Sequence, residues 1–128
     1  MSPVMVRYIV DDVDAAIPFY RDQLGFEVVM HPGPPFAILA RGDLRLALSA
    51  PGGQGGGGQT LSDGRRPEPG GWNRIVVEVS DLEAEVSRLE AAGAPLRSEI
   101  VVGVAGDQVI VDDPSGNPVE LFEAHREP

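Results

Sequence analysis

Apolar and polar residues alternate along residues 6–10 (VRYIV), the period of a half-buried strand. The period then changes. Val13, Ala16, Ile17, Tyr20 and Leu24 recur at spacings of three and four, which predicts a helix with one apolar face. Asp11 is placed to cap its start, with Asp14 in the first turn, and Gly25 to end it. Pro18 lies inside that span and should bend or weaken it, because proline has no N–H to donate. Strand patterns follow at residues 26–30, 36–41 and 44–49, with Gly42-Asp43 as a hairpin turn between the last two. The same order returns in the second half. Residues 75–79 (IVVEV) read as a strand, and Ser80-x-x-Glu83 as a capping box opening a second helix. That helix has Leu82, Val86 and Leu89 as its stripe and Gly93 at its close. Strand patterns at 99–104, 107–112 and 118–123 complete the chain, the last two separated by a turn at Asp113-Pro114-Ser115-Gly116-Asn117. Each half reads β-α-β-β-β, so the fold class is α+β.

One offset superposes Val10 on Val79, Asp12 on Asp81 and Ile17 on Val86, as two copies of one small unit would. Between the copies, residues 51–71 (PGGQGGGGQTLSDGRRPEPGG) hold more than half of the 16 glycines. Such a stretch buries little apolar area to offset its ordering entropy. The predicted organisation is one domain, with module 1 at 1–50, a Gly-rich linker at 51–71 and module 2 at 72–128. The linker reads either as a loose hairpin loop or as a lid over a pocket.

Composition narrows the chemistry. With 128 residues and 42% hydrophobic, the chain fits one domain with a real core. No apolar run is long enough for a membrane helix, and the N-terminus lacks the basic flank of a signal peptide. There is no cysteine, which excludes disulfides and thiolate chemistry and fits a cytoplasmic location. All 10 basic residues are arginine, so lysine Schiff-base chemistry is excluded as well. A net charge of −10 argues against nucleic acid and would steer a cationic ligand toward the protein. His31, in a Pro-rich turn, and His125, near the C-terminus, both read as surface histidines.

Three segments carry a family likeness. Val10-Asp11-Asp12-Val13, Phe19-Tyr20-Arg21-Asp22-x-Leu24-Gly25-Phe26 and Asp112-Asp113-Pro114-Ser115-Gly116-Asn117-Pro118-Val119-Glu120-Leu121-Phe122 resemble the vicinal oxygen chelate superfamily. That superfamily includes glyoxalase I, bleomycin-resistance proteins, extradiol dioxygenases and methylmalonyl-CoA epimerase. The resemblance covers nearly the whole chain outside the linker. It implies two βαβββ modules whose sheets curl into a cup, with helices on the outer face and a ligand or metal inside.

Strand alternation gives the residues of the two faces. Val6, Tyr8 and Val10 should pack under the first helix, leaving Met5, Arg7 and Ile9 inward; Ile75, Val77 and Val79 should pack under the second, leaving Arg74, Val76 and Glu78 inward. In the last strand Glu120 and Phe122 face inward, and in 44–49 so do Arg45, Ala47 and Ser49. Metal-using relatives draw one ligand from the first and one from the last strand of each module, which the resemblance carries onto Met5, Ala47, Arg74 and Glu120. Only Glu120 offers a hard oxygen donor; a thioether is too soft and a guanidinium repels a cation. No cofactor is therefore expected, although the resemblance leaves a divalent metal open. Arg74 could instead pair with Glu120, or reach past it to solvent.

The expected function is small-molecule binding of the metal-free kind of the bleomycin-resistance branch, with Met5, Arg7, Trp72, Arg74, Val76, Glu78, Glu120 and Phe122 as the ligand-binding set. Trp72 would stack on a planar ligand or anchor the linker. Whether the protein is catalytic stays open. The alternative is a glyoxalase-I-type lyase/isomerase or an epimerase, with Glu120 as base and Arg74 as electrostatic anchor. Ring-cleaving dioxygenation is disfavoured, because the histidine and carboxylate set for iron is missing. A non-catalytic protein-interaction module is a third reading. A homodimer is expected, since each sheet leaves edges to cover.

Overall fold

Two parallel strand pairs close the chain into two compact units, Met1–Gly70 and Gly71–Pro128, in the computed structural model, which describes residues 3–52 and 55–125. The first unit contains β1 (Val4–Ile9), α1 (Val13–Pro18), β2 (Glu27–Gly33), β3 (Phe36–Arg41) and β4 (Leu44–Ser49). Its sheet is ordered β1-β4-β3-β2, with β1 parallel to β4 and the other pairs antiparallel. The second unit contains β5 (Ile75–Glu78), α2 (Leu82–Ala91), β6 (Val101–Val102), β7 (Gly106–Asp112) and β8 (Pro118–Ala124). Its order, β5-β8-β7-β6, repeats the first. The architecture is α+β, two βαβββ units each with an open four-stranded sheet. No described helix is long and apolar enough to cross a membrane.

Both helix starts lie one residue beyond the expected cap. Asp12, not Asp11, caps α1: its backbone is extended and its Oδ1 accepts from Ala15 N at 3.2 Å. Asp81, not Ser80, caps α2 in the same way, accepting from Ala84 N at 3.1 Å. The cap must reach the backbone N–H three residues on from an extended conformation, and the aspartates next to the helices satisfy that. Glu83 therefore has no box to complete. A second donor, Leu82 N, is taken by Glu123 Oε1 from β8 at 2.7 Å.

Pro18 shapes α1. With no N–H at that position, the helix stops after one and a half turns and widens into a π-helical turn at Phe19–Gln23. The wider turn buries Phe19 and Tyr20 side by side. Tyr20 meets Tyr8, Phe19 and Phe26 edge-to-face at centroid distances of 6.5, 5.1 and 5.7 Å. This aromatic cluster joins α1 to the buried face of the first sheet.

The outer strands depart from the sequence pattern. Residues 99–104 form only the two-residue β6, because Gly103 N bonds Gly106 O at 2.9 Å and closes the turn there. β2 runs on through His31 and Pro32, with register shifts after Val28 and Met30. The Gly-rich segment is tied to the first unit. Gly52 N donates to Gly58 O at 2.7 Å, Ser49 Oγ donates to Gly56 O, and Gly58 is buried. Gly53 and Gln54 of that segment, with the chain ends 1–2 and 126–128, lie outside the described residues.

Candidate functional site

The helix-free face of the second sheet is built by alternation. Ile75 and Val77 of β5 are buried, while Val76 and Glu78 are exposed. The parallel register sets Val76 beside Glu120 and Glu78 beside Phe122, and β7 adds Ile110 opposite Glu120. Glu120 is only 7% exposed. A carboxylate that far from water needs a partner. Arg74 supplies it: Nε donates to Glu120 Oε1 at 3.0 Å, and Nη2 lies 2.8 Å from the same oxygen. The remaining arm of the fork, Nη1, donates to Trp72 O at 3.2 Å. One guanidinium thus joins the central strand to the segment preceding β5. The fork converges on one carboxylate oxygen instead of spanning both.

Trp72 itself is 70% exposed. Its ring is backed by a residue absent from the sequence reading, Arg97, whose Cζ lies 4.6 Å from the ring centroid. Arg97 is fixed on all sides. Nε donates to Asp112 Oδ1 at 2.6 Å, Nη1 to Gly71 O at 2.8 Å and Nη2 to Gly116 O at 3.0 Å. No local spacing reveals this clamp, because Trp72, Arg97 and the turn that holds Asp112 and Gly116 come from separate segments. Phe122 is half-buried, and its ring lies where a Cβ on Gly106 would be, so that glycine makes room for it.

The first unit places its expected residues on a corresponding face. Met5 is 50% exposed and Arg7 is exposed, paired in register with Arg45 and Ala47. Ala47 and Ser49 are fully buried. The Arg7 guanidinium packs against Gly57, where a Cβ would collide with it. Among the described residues Arg7 forms no ion pair. The two histidines lie apart from these faces: His31 Nε2 is 3.2 Å from Asp14 Oδ1, and His125 Nε2 is 2.8 Å from Asp107 Oδ1.

A resident metal does not fit these side chains. Met5 and Ala47 bring no hard donor, Arg74 is a cation, and it already occupies the one carboxylate, Glu120. Among the described residues no group of three or more His, Cys, Asp or Glu side chains is gathered as a metal would need.

Comparison with known proteins agrees with the fold. The model of the Glyoxalase/Bleomycin resistance protein/Dioxygenase superfamily matches residues 2–121. Among solved structures, a lactoylglutathione lyase from Agrobacterium tumefaciens is 25% identical, with a TM-score of 0.72 over 94% of this chain and 91% of that one. A superfamily member from Sphaerobacter thermophilus is also 25% identical, with a TM-score of 0.74 over 96% and 97%. TnmS3, an antibiotic binding protein from Streptomyces sp. CB03234, is 22% identical, with a TM-score of 0.71 over 94% and 93%, a likeness of fold. No curated protein sequence matches the chain.

Proposed function

Because the chain belongs to the Glyoxalase/Bleomycin resistance protein/Dioxygenase superfamily, we propose that it binds a small organic molecule on its open sheet faces and does so without a divalent metal. The observation that carries this reading is the Arg74–Glu120 pair. In the superfamily pattern both positions belong to metal ligands, and here one is a cation that neutralises the other. Each unit keeps what a binding surface requires: exposed Met5 beside the polar Arg7 in the first, and exposed Val76 and Trp72 with the polar Arg74 and Glu78 in the second. Cytoplasmic residence and a homodimer belong to the same proposal. The dimer is supported by apolar residues exposed along both outer strands, Val28, Val29 and Met30 on one and Val101 and Val102 on the other.

Similarity to a lactoylglutathione lyase favours a second reading, a glyoxalase-I-type isomerase with Glu120 as base. The ion pair counts against it, since the Arg74 guanidinium already occupies the carboxylate oxygen that would take the substrate proton. Elemental analysis of tag-free protein equilibrated with Zn²⁺, Ni²⁺ and Mn²⁺ separates the two. We expect far less than one metal per chain and no conversion of the methylglyoxal–glutathione hemithioacetal. One metal per chain that is lost in Glu120→Ala, with turnover lost in Glu120→Gln, would establish the isomerase instead.

A further inference from the structure

A guanidinium carries five N–H donors in one plane, and only an acceptor lying near that plane satisfies them. Nine of the ten arginines lie among the described residues, and eight of them donate to a carboxylate or a backbone carbonyl of this chain. Arg7 is the exception: among the described residues its side chain has neither an ion pair nor a hydrogen bond. Yet it is not a side chain swinging in solvent. Its guanidinium lies against Gly57, where a Cβ would overlap Cζ, Nε and Nη1. Gly57 holds φ at 89°, a left-handed conformation that suits glycine. The turn carrying it is pinned beside β4, since Ser49 Oγ donates to Gly56 O and Gly52 N donates to Gly58 O. The turn thus restricts the guanidinium from one side and accepts none of its hydrogens.

The surroundings of Arg7 leave its charge uncompensated. Arg74 and Arg97 of the second unit are each neutralised by a carboxylate, at 2.8 and 2.6 Å. In the first unit β1 to β4 hold one carboxylate between them, Glu27. It starts β2, three strands across the sheet from β1, about 14 Å away and beyond the screening length at physiological salt. Arg45, the other cation of this face, is turned to its own hairpin and donates to Gly42 O at 3.1 Å. Apolar groups stand next to Arg7. Met5, two residues back on the same face, is 50% exposed, and the half-buried Ile38 lies across Ala47, the register partner of Arg7. A free fork beside apolar side chains suits a carboxylate carried on an apolar body.

We propose that Arg7 anchors the carboxylate of an amphipathic organic acid on the helix-free face of the first sheet, and that Gly57 is the positioning residue that holds the guanidinium ready. This rests on the reading of the protein as a small-molecule binder and names the ligand class. It runs against the cationic ligand suggested by the net charge of −10, because that charge is dispersed and screened, whereas the guanidinium acts at contact.

The test compares 2-naphthoate with its neutral isostere 2-naphthamide in equilibrium dialysis at pH 6. The second readout is the Nε–H cross-peak of Arg7, identified by its loss in Arg7→Met. Wild type is expected to hold the acid at least about tenfold tighter than the amide, as a charge-assisted fork requires. The Nε–H peak should move with the acid alone. Arg7→Met should bring the ratio toward one, and Arg7→Lys, which keeps the charge and loses the fork, should keep part of it. Gly57→Ala retains every charge but displaces the fork, so it should lower the ratio as well. If that variant does not fold, Nε relaxation in wild type reads the positioning directly: an order parameter near that of rigid backbone is expected, and one below about 0.6 overturns the role of Gly57. Equal affinity for acid and amide in wild type, or a preference that survives Arg7→Met, overturns the anchor yet leaves the small-molecule reading standing, because a molecule is still bound. Binding of neither probe overturns the anchor too; the small-molecule reading then falls only if the metal and turnover measurements establish the isomerase.

Discussion

Two opposite charges meet at the half-buried Arg74 and the buried Glu120, and each is the other's partner away from water. Their side chains are 24% and 9% exposed, so removing one partner leaves the other poorly solvated. Arg74→Met alone should destabilise the fold, and adding Glu120→Gln should recover part of the loss. A double-mutant cycle read by urea denaturation should give a coupling of about 1–3 kcal/mol; additivity within about 0.3 kcal/mol would show that the pair contributes nothing. A weaker pair acts at the end of β8. The hydrogen bond from His125 to Asp107, helped by the nearby negative charge, raises the histidine above its ordinary pKa. Its contribution to stability is then full below the ordinary histidine value and fades as pH rises through the raised one. Between about pH 5.5 and about pH 8.5 wild type should lose slightly more stability than Asp107→Asn, measured as urea midpoints. The first pair is legible in sequence, because the resemblance carries two ligand positions of module 2, at its first and last strands, onto Arg74 and Glu120. Arg97 is not legible, since nothing along the chain relates it to Trp72.

At the level of elements, a one-residue displacement of both caps has a measurable consequence. Asp81→Ala should cost about 1 kcal/mol, while Ser80→Ala should stay within about 0.5 kcal/mol of wild type in thermal denaturation. Equal losses from the two substitutions would return the capping role to Ser80. Helical stripes were readable because Val13, Ala16, Ile17, Tyr20 and Leu24 are all buried as their spacing requires. Phe19 was not, because its burial depends on the π-helical turn that follows Pro18, and a 3.6-residue period places it off the stripe. The Gly-rich segment hid its contacts for a related reason. Gly57 adopts φ of 89° and lies against the Arg7 guanidinium, features that its composition does not encode. Gly57→Ala should therefore destabilise the protein by about 1 kcal/mol or more and displace Arg7. A variant as stable as wild type would mean that the segment yields freely.

For the whole molecule, the outer strands decide association. β2 and β6 leave Val28, Val29, Met30, Val101 and Val102 in contact with water, and apolar sheet edges invite a second chain. Light scattering at micromolar concentration should return twice the 13.6 kDa of one chain; a single species at 13.6 kDa would refute the dimer. Every strand ladder among the described residues, however, lies inside one unit or the other. Each unit completes its sheet only when its last strand comes round to its first, a loop of about 40 residues in both. Refolding then consists of two closures with nearly the same entropic barrier, and neither supplies a strand to the other. Tryptophan emission follows only the second closure, whereas far-ultraviolet circular dichroism follows both. Units that fold separately would give traces that diverge in time, and units that fold as one cooperative body would give traces that superimpose.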